Sequence, residues 1–346
     1  MKNFLKRSKK NSDEQTELSS GRITNETVAE HREQILAGGR KFKYPLQYQK
    51  HRLVLNSIII GVATLLLLGA LGWYQLYVAQ NSNKLLYRAT QIIPVTVASV
   101  DGEAVRYSDY LVRYRSSVFY LQQQNQLNLN SDDGKRQSEY MKREELTKAE
   151  RSAYASKLAR ELKLSVSDEE VTAFIKKDVD ARSVSLNAYE KTVLKSFYDW
   201  SLDEYRSIVK SELLKRKVSL AVDTAARKEA EQLLAQVKAG ADIADVAQNS
   251  SDDEVTKAGG GDSGRLPLKN QDPNGLIAAA SRLNVGELSE VLEGVDGFYF
   301  IKLTHKDDST VQYSLVKIGL TAFDNRFAAL QKDGKIQEYI TIKSEE

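Results

Sequence analysis

The chain of 346 residues contains no cysteine. That absence excludes a disulfide framework, a catalytic thiol, a thiolate zinc site and a cysteine-ligated iron–sulfur cluster together. Histidine is nearly as scarce, since His31, His51 and His305 are the only three and stand too far apart in sequence to suggest a metal cluster. Asp252 and Asp253 lack the oxygen-ligand spacing of an EF-hand loop. No metal and no cofactor is expected. The run Gly259-Gly260-Gly261 is followed by no Lys-Ser or Lys-Thr pair leading into a helix, so it does not read as a phosphate cradle, and a mobile loop is its plain alternative. With 41% hydrophobic and 28% charged residues, the chain has material for about two or three domains.

Charge is missing altogether from one stretch, Leu53 to Asn83. Within it LVLNSIIIGVATLLLLGALGWYQLYVA exceeds the roughly 20 helical residues that cross a hydrocarbon core. A transmembrane helix is therefore expected over 51–79, with a linker over 80–94. Arg40, Lys41, Lys43, Lys50 and Arg52 crowd the N-terminal flank, whereas only Lys84 and Arg88 lie near the other, which places the N-terminus in the cytoplasm and the rest outside. The run is longer than the h-region of a signal peptide, about 7 to 15 residues, and begins some 50 residues in, so an uncleaved anchor is expected. Trp73, Tyr74 and Tyr77 fall at its outer end, where amphipathic rings favour the headgroup layer. Residues 1–52 hold 12 Lys+Arg against 6 Asp+Glu, leaving 38 against 41 for the remainder. Residues 1–50 read as a mostly disordered basic tail that touches anionic membrane lipid. Because the tail leads into the apolar run, no nucleic acid partner is expected.

Beyond the linker, VTVASVDGEAVRY at 95–107 predicts two strands about the turn Asp101-Gly102. A helix opening at Ser108 follows, and 121–137 reads as a frayed helix end and loop. Thr147 with Glu150, Ser167 with Glu170, and Ser201 with Glu204 have the spacing of capping boxes and mark three helix starts. Residues 95–216 thus read as mostly helical. KVSLAV at 217–222 predicts a strand, followed by a helix burying Ala226, Ala230, Leu233, Leu234 and Val237, and then by a short helix in DIADVAQ. A loop over 250–264, a helix over about 275–283 and the strand GFYFIKL at 297–303 complete a compact α+β unit of about 90 residues. Residues 306–346 offer the strand-like VQYSLVKIGL and a short helix near Phe323 to Leu330, with no reading of their own.

The order and spacing of AEQLLAQVKAGADIADVAQNSSDD, GGGDSG, NVGELSEV and GFYFIKL resemble the parvulin family of peptidyl-prolyl isomerases over about 217–305. The region 95–216 is similar to the SurA or PrsA N-terminal chaperone domain through VASVDGEAVRYSDY, LKLSVSDEEV and WSLDEYRSIVKSELLKRKV. The resemblance implies an α+β chain with a single N-terminal transmembrane helix, a mostly helical SurA-like domain, a parvulin-like α+β domain and a segment 306–346 that folds back on the chaperone domain. It further implies a membrane-tethered, extracytoplasmic folding factor whose partners are unfolded or nascent secreted polypeptides.

Prolyl isomerisation needs no covalent intermediate; an enzyme has to hold an X-Pro bond twisted against a barrier of about 18–20 kcal/mol. Parvulins use an apolar cup for the proline ring and a polar floor of two histidines and a Cys or Asp. Here Val218-Ser219-Leu220 stands where the first histidine is expected and Tyr299 where the second is, so both are missing. Asp253 occupies the Cys or Asp position. In the cup, Leu276 falls at one aromatic position, while Ser281, Ser263 and the Gln271-Asp272 region replace larger apolar groups. Asp253, Tyr299 and Ser219 are thus the candidate catalytic residues, and Leu276 and Ser281 the candidate substrate-binding ones. Losing cup contacts worth about 1 to 3 kcal/mol per side chain weakens proline capture. The expected module binds extended polypeptide with isomerase activity weakened or lost; an active isomerase with an altered site and an envelope scaffold with one fixed partner are the alternatives.

Overall fold

The computed structural model describes residues 24–43, 45–124, 128–270 and 272–343. The expected disorder of residues 1–23 and the cup position at Gln271 lie outside the described residues. The chain divides between Leu71 and Gly72 into two compact units.

In the first unit, α1 (Asn25–Lys43) and α2 (Pro45–Trp73) are helical. Helix thus replaces disorder over part of the basic tail. NETVAEHREQILAGGR is rich in Ala, Glu, Gln, Leu and Arg, strong helix formers even without a core to pack on. Thr27 Oγ1 donates to Thr24 O at 2.8 Å at its start. The stretch Arg52–Val78 is long and apolar enough to cross a membrane, and from Arg52 to Leu71 its side chains are exposed.

The second unit opens with a π-helical turn, Tyr74–Val78, and α3 (Lys84–Ile92). A helix therefore stands where a linker was expected. Asn83 Oδ1 caps it by accepting the Leu86 N–H at 2.8 Å, and Tyr87 and Thr90 on its inner face are buried. Tyr77 is half-buried, and its hydroxyl donates to Thr96 O at 2.6 Å.

Strands β1 (Thr96–Val100) and β2 (Glu103–Arg106) follow. Asp101 and Gly102 both have positive φ, +48° and +82°, the conformation of a two-residue hairpin that matches strand twist. Then come α4 (Tyr107–Gln124), α5 (Asp132–Glu161), α6 (Asp168–Ala181), the short turns α7 (Leu186–Tyr189) and α8 (Ser196–Tyr198), and α9 (Leu202–Val222). Capping boxes are present at Ser167/Glu170 and Ser201/Glu204. Thr147 and Glu150 cap nothing. They lie inside α5, whose start is Ser131, where the hydroxyl accepts the Gly134 N–H at 3.1 Å. Part of the expected loop over 121–137 is therefore helix.

No strand forms at 217–222, because α9 continues through it. Val218 and Val222 are one helical turn apart and enter the core around β1, while Leu220, on the opposite side, enters the core of the neighbouring sheet. A helix pressed between two cores alternates buried residues as a strand does. Asp223 ends it, its carboxylate accepting the Ala226 N–H at 3.1 Å to start α10 (Thr224–Lys238), which α11 (Ile243–Ser250) follows.

The remaining elements are β3 (Leu266–Pro267), α12 (Leu276–Ala280), β4 (Leu292–Glu293), β5 (Gly297–Lys306), β6 (Thr310–Gly319), α13 (Ala322–Lys332) and β7 (Ile336–Glu338). An antiparallel sheet in the order β3-β6-β5-β4 has both faces covered. Phe298, Phe300, Val316 and Ile318 meet α10 and α11; Tyr299, Ile301, Leu303 and Leu315 meet α12. Each such buried side chain contributes about 1.5–3 kcal/mol. The second sheet, β2-β1-β7, takes its last strand from the C-terminal segment, with Val100 opposite Ile336 and Ala98 opposite Glu338. Phe323 and Phe327 of α13 pack on Tyr154 in the same core.

Candidate functional site

Between α6 and α9 on one side and the β3–α12 segment with the β4–β5 turn on the other lies a cleft of about 1180 Å³. Phe174, Trp200, Tyr205, Ile208 and Leu213 form one apolar wall, and Leu268, Pro273, Ile277, Ala278 and Val295 the other. Helical spacing explains the first wall, since Tyr205, Ile208, Val209 and Leu213 recur at three- and four-residue steps. Trp200 is fixed by its indole N–H, which donates to Val112 O at 3.1 Å, and by stacking on Tyr198 with ring centres 4.8 Å apart.

Most of the charges at the rim are engaged with the protein. Lys215 pairs with Glu212 at 2.6 Å, Asp178 accepts the Tyr189 hydroxyl at 2.9 Å, and Asp272 Oδ2 accepts the Ile277 N–H at 2.6 Å. Arg216 reaches from α9 to the β4–β5 turn, donating to Gly294 O at 3.1 Å and Glu293 O at 3.0 Å. Asp324 pairs with Arg151. The cleft therefore presents mainly apolar surface.

The candidate residues divide. Ser219 and Ser281 both line the cleft, from opposite walls. Ser219 does so from a helix, not from the strand expected of it. The Ser281 hydroxyl donates to Ala278 O at 2.9 Å. Leu276 lies one position before the wall residue Ile277 but is itself buried under the sheet. Tyr299 is buried behind the cleft and reaches it through Asp296, a lining residue whose Oδ1 accepts its hydroxyl at 2.6 Å. Asn274 Nδ2 donates to the Tyr299 oxygen at 3.2 Å, and Lys317 Nζ pairs with Asp296 at 2.6 Å. Asp253 does not line the cleft, although its charge acts on Tyr299; it folds the 251–261 loop, its Oδ2 accepting from Thr256 Oγ1 at 2.5 Å and from the Thr256 N–H at 3.2 Å.

Burial, then the bond to Asp296, pushes the Tyr299 hydroxyl far above its ordinary value, with the Asp253 charge adding a smaller push. The phenol stays neutral. Burial opposes ionisation of Asp296 as well, but the Lys317 and Tyr299 bonds outweigh it and hold that carboxyl below the usual range. Sequence reasoning missed Asp296, Asn274 and Lys317. Lys317 stands opposite Tyr299 in the β5–β6 ladder, a register that only pairing discloses. No cluster of three or more potential metal ligands occurs among the described residues.

Residues 47–219 match the SurA-like N-terminal domain family, and residues 213–305 match the Rotamase family, a PPIC-type PPIASE domain. Foldase protein PrsA 2 of Bacillus cereus is 35% identical over 78 residues, which are 22% of this chain and 27% of that protein. The chain thus spans about a quarter of the length of that curated relative. Among solved structures, peptidylprolyl isomerase (PrsA) from Bacillus anthracis shows 20% identity over 51% of this chain and 82% of its own, with a TM-score of 0.19. A structure from work on PEB4 and Cj1289, two SurA-like chaperones of Campylobacter jejuni, shows 18% identity over 70% of this chain and 91% of its own, with a TM-score of 0.24.

Proposed function

Because the chain belongs to the SurA-like N-terminal domain family and carries a PPIC-type PPIASE domain after it, we propose that it is a membrane-anchored, extracytoplasmic folding factor that holds non-native secreted polypeptide in the cleft beside α9. The observation that carries this reading is the pair of facing apolar walls whose rim charges are mostly engaged with the protein itself. Non-native chains expose apolar segments, and burying these gives about 25 cal/mol per Å² without demanding a sequence. Selectivity is accordingly low. The α2 span tethers the cleft where such chains emerge, and the basic flank before it faces the cytoplasm.

The full chain, reconstituted in lipid nanodiscs, is expected to suppress light scattering from several unrelated unfolded clients near equimolar ratio. The substitutions Ile208→Asp and Leu213→Asp together are expected to weaken that protection several-fold while circular dichroism stays native. Clients that aggregate as fast with the chain as with empty nanodiscs would sink the holdase reading.

Holding is favoured over catalysis by where the protons go. The Tyr299 proton is committed to Asp296 and the Ser281 proton to Ala278 O, which leaves Ser219 as the one candidate hydroxyl in the cleft with no partner among the described residues. One hydroxyl is a thin floor on which to lower a barrier of about 18–20 kcal/mol. With a short proline peptide the full chain is expected to give little rate enhancement, unchanged by Tyr299→Phe or Asp253→Ala. A large enhancement that either substitution abolishes establishes the altered-site isomerase instead.

A further inference from the structure

The outer end of the apolar run is built into the folded unit. The Tyr107 hydroxyl donates to Leu76 O at 2.6 Å, and the Tyr77 and Tyr107 rings meet edge to face, 5.8 Å between centres. The turn that follows is equally fixed. Asn81 N donates to Gln75 O at 2.8 Å, Asn83 N to Asn81 Oδ1 at 3.1 Å, and Asn83 caps α3. Only residues 79–83 separate Val78 from Lys84 at the start of α3, six steps of chain that reach at most about 22 Å. The helix therefore begins beside the end of the span.

Its two faces differ sharply. Tyr87 and Thr90 are buried, and Arg115 lies over the Tyr87 ring at 4.9 Å, holding the inner face to the core. On the outer face Leu85 is 75% exposed, Ile92 84% and Ile93, just past the helix end, 61%. Leu85, Arg88 and Ile92 recur at the three- and seven-residue steps of one helical stripe, with Lys84 next to it. Arg88 has no ion pair among the described residues, and Lys84 makes one long contact, 3.6 Å to Asp199. An apolar stripe bordered by basic groups is the pattern of a helix lying in a membrane interface, where aliphatic side chains enter the acyl boundary and cationic ends reach the phosphates.

We propose that α3 is a second membrane contact: Leu85, Ile92 and Ile93 enter the headgroup–acyl boundary of the bilayer that α2 crosses, and Lys84 and Arg88 pair with lipid phosphates. This rests on reading α2 as a span. A second contact at the start of the second unit adds to the hold of the span on the lipid surface.

The absence of native cysteine makes the test direct. Nitroxide labels are placed singly by Leu85→Cys, Ile92→Cys, Leu66→Cys in the apolar run and Val255→Cys on a loop residue that is 90% exposed. Each full-length variant is reconstituted in vesicles of phosphatidylcholine and phosphatidylglycerol. Accessibility to oxygen, relative to an aqueous nickel chelate, is expected to be several-fold higher at positions 85, 92 and 66 than at 255. Adding Lys84→Glu and Arg88→Glu is expected to lower the ratio at 92 and leave it unchanged at 66. Values at 85 and 92 that match 255, with 66 still in lipid, overturn the inference alone. Water-like values at 66 overturn the span and the inference together. Labels at 85 and 92 shielded from both reagents show that protein covers this face, a second copy being the obvious candidate, and also overturn it.

Discussion

Gly261→Ala is expected to destabilise the second unit by about 3–5 kcal/mol, through left-handed strain, a steric clash and a lost hydrogen bond together. The residue has φ +76°, and a Cβ there would stand 2.2 Å from Leu315 O, 3.0 Å from Leu315 N and 3.1 Å from the Ala247 side chain. The first two are backbone atoms of β6, and the third belongs to α11, so nothing flexible can yield. Gly261 also accepts the Leu315 N–H at 2.9 Å and donates to Thr256 O at 2.9 Å, joining the loop after α11 to β6. Gly259 is the control. It has no positive φ, and a methyl group added there would meet nothing within 4 Å, so Gly259→Ala is expected to leave the melting temperature within about 2 °C, a change under 1 kcal/mol. Thermal unfolding followed by circular dichroism separates the two. Equal melting temperatures for both variants would show that the loop is not clamped to β6.

That contrast shows what the sequence made legible and what it did not. Three consecutive glycines read as one loop, mobile or otherwise; only the approach of α11 and β6 distinguishes Gly261, which has no room, from Gly259, which has open space. Local signals carried well where the structure they encode is local. The boxes at Ser167 and Ser201 close within one helical turn, and the Asp101-Gly102 hairpin needs only two backbone conformations. The same box pattern at Thr147 and Glu150 misled, because a carboxylate three residues beyond a hydroxyl can equally point from mid-helix into a core. KVSLAV misled because its partners lie on two sides of a helix rather than two faces of a sheet. In the cleft, Ser219 and Ser281 could be singled out by position along the chain. Asp296 and Lys317 could not: Asp296 meets the Tyr299 hydroxyl across a three-residue turn that no motif marks, and Lys317 stands opposite Tyr299 only through the β5–β6 register.

Raising the pH is expected to weaken the helical core through one residue, Glu150. It is 2% exposed, its Oε1 has no hydrogen-bond partner, and its pKa is pushed up from 4.5 to about 8. Burial is the main cause and the charge of Glu338 on β7 the second, with Arg143 opposing both. In the unfolded chain this carboxyl ionises near its ordinary value; in the folded one it keeps its proton until about pH 8. The folded state thus binds more protons between those values, and stability falls as pH rises from about 4.5, by up to about 1.4 kcal/mol per unit, levelling off above about 8. The accumulated loss approaches roughly 5 kcal/mol. Glu150→Gln removes the titration while keeping the shape. At pH 9 the variant is expected to melt about 10 °C above the parent, and at pH 5 close to it. The effect also has a location, because an ionised Glu150 beside Glu338 repels the strand that completes the β2-β1-β7 sheet. Arg143, already paired with Glu338, cannot neutralise both carboxylates. Glu338→Gln is therefore expected to recover part of the alkaline loss, less than Glu150→Gln does, because burial remains. Parallel melting curves for parent and Glu150→Gln from pH 5 to 9 would show that this carboxyl ionises normally and that water reaches it.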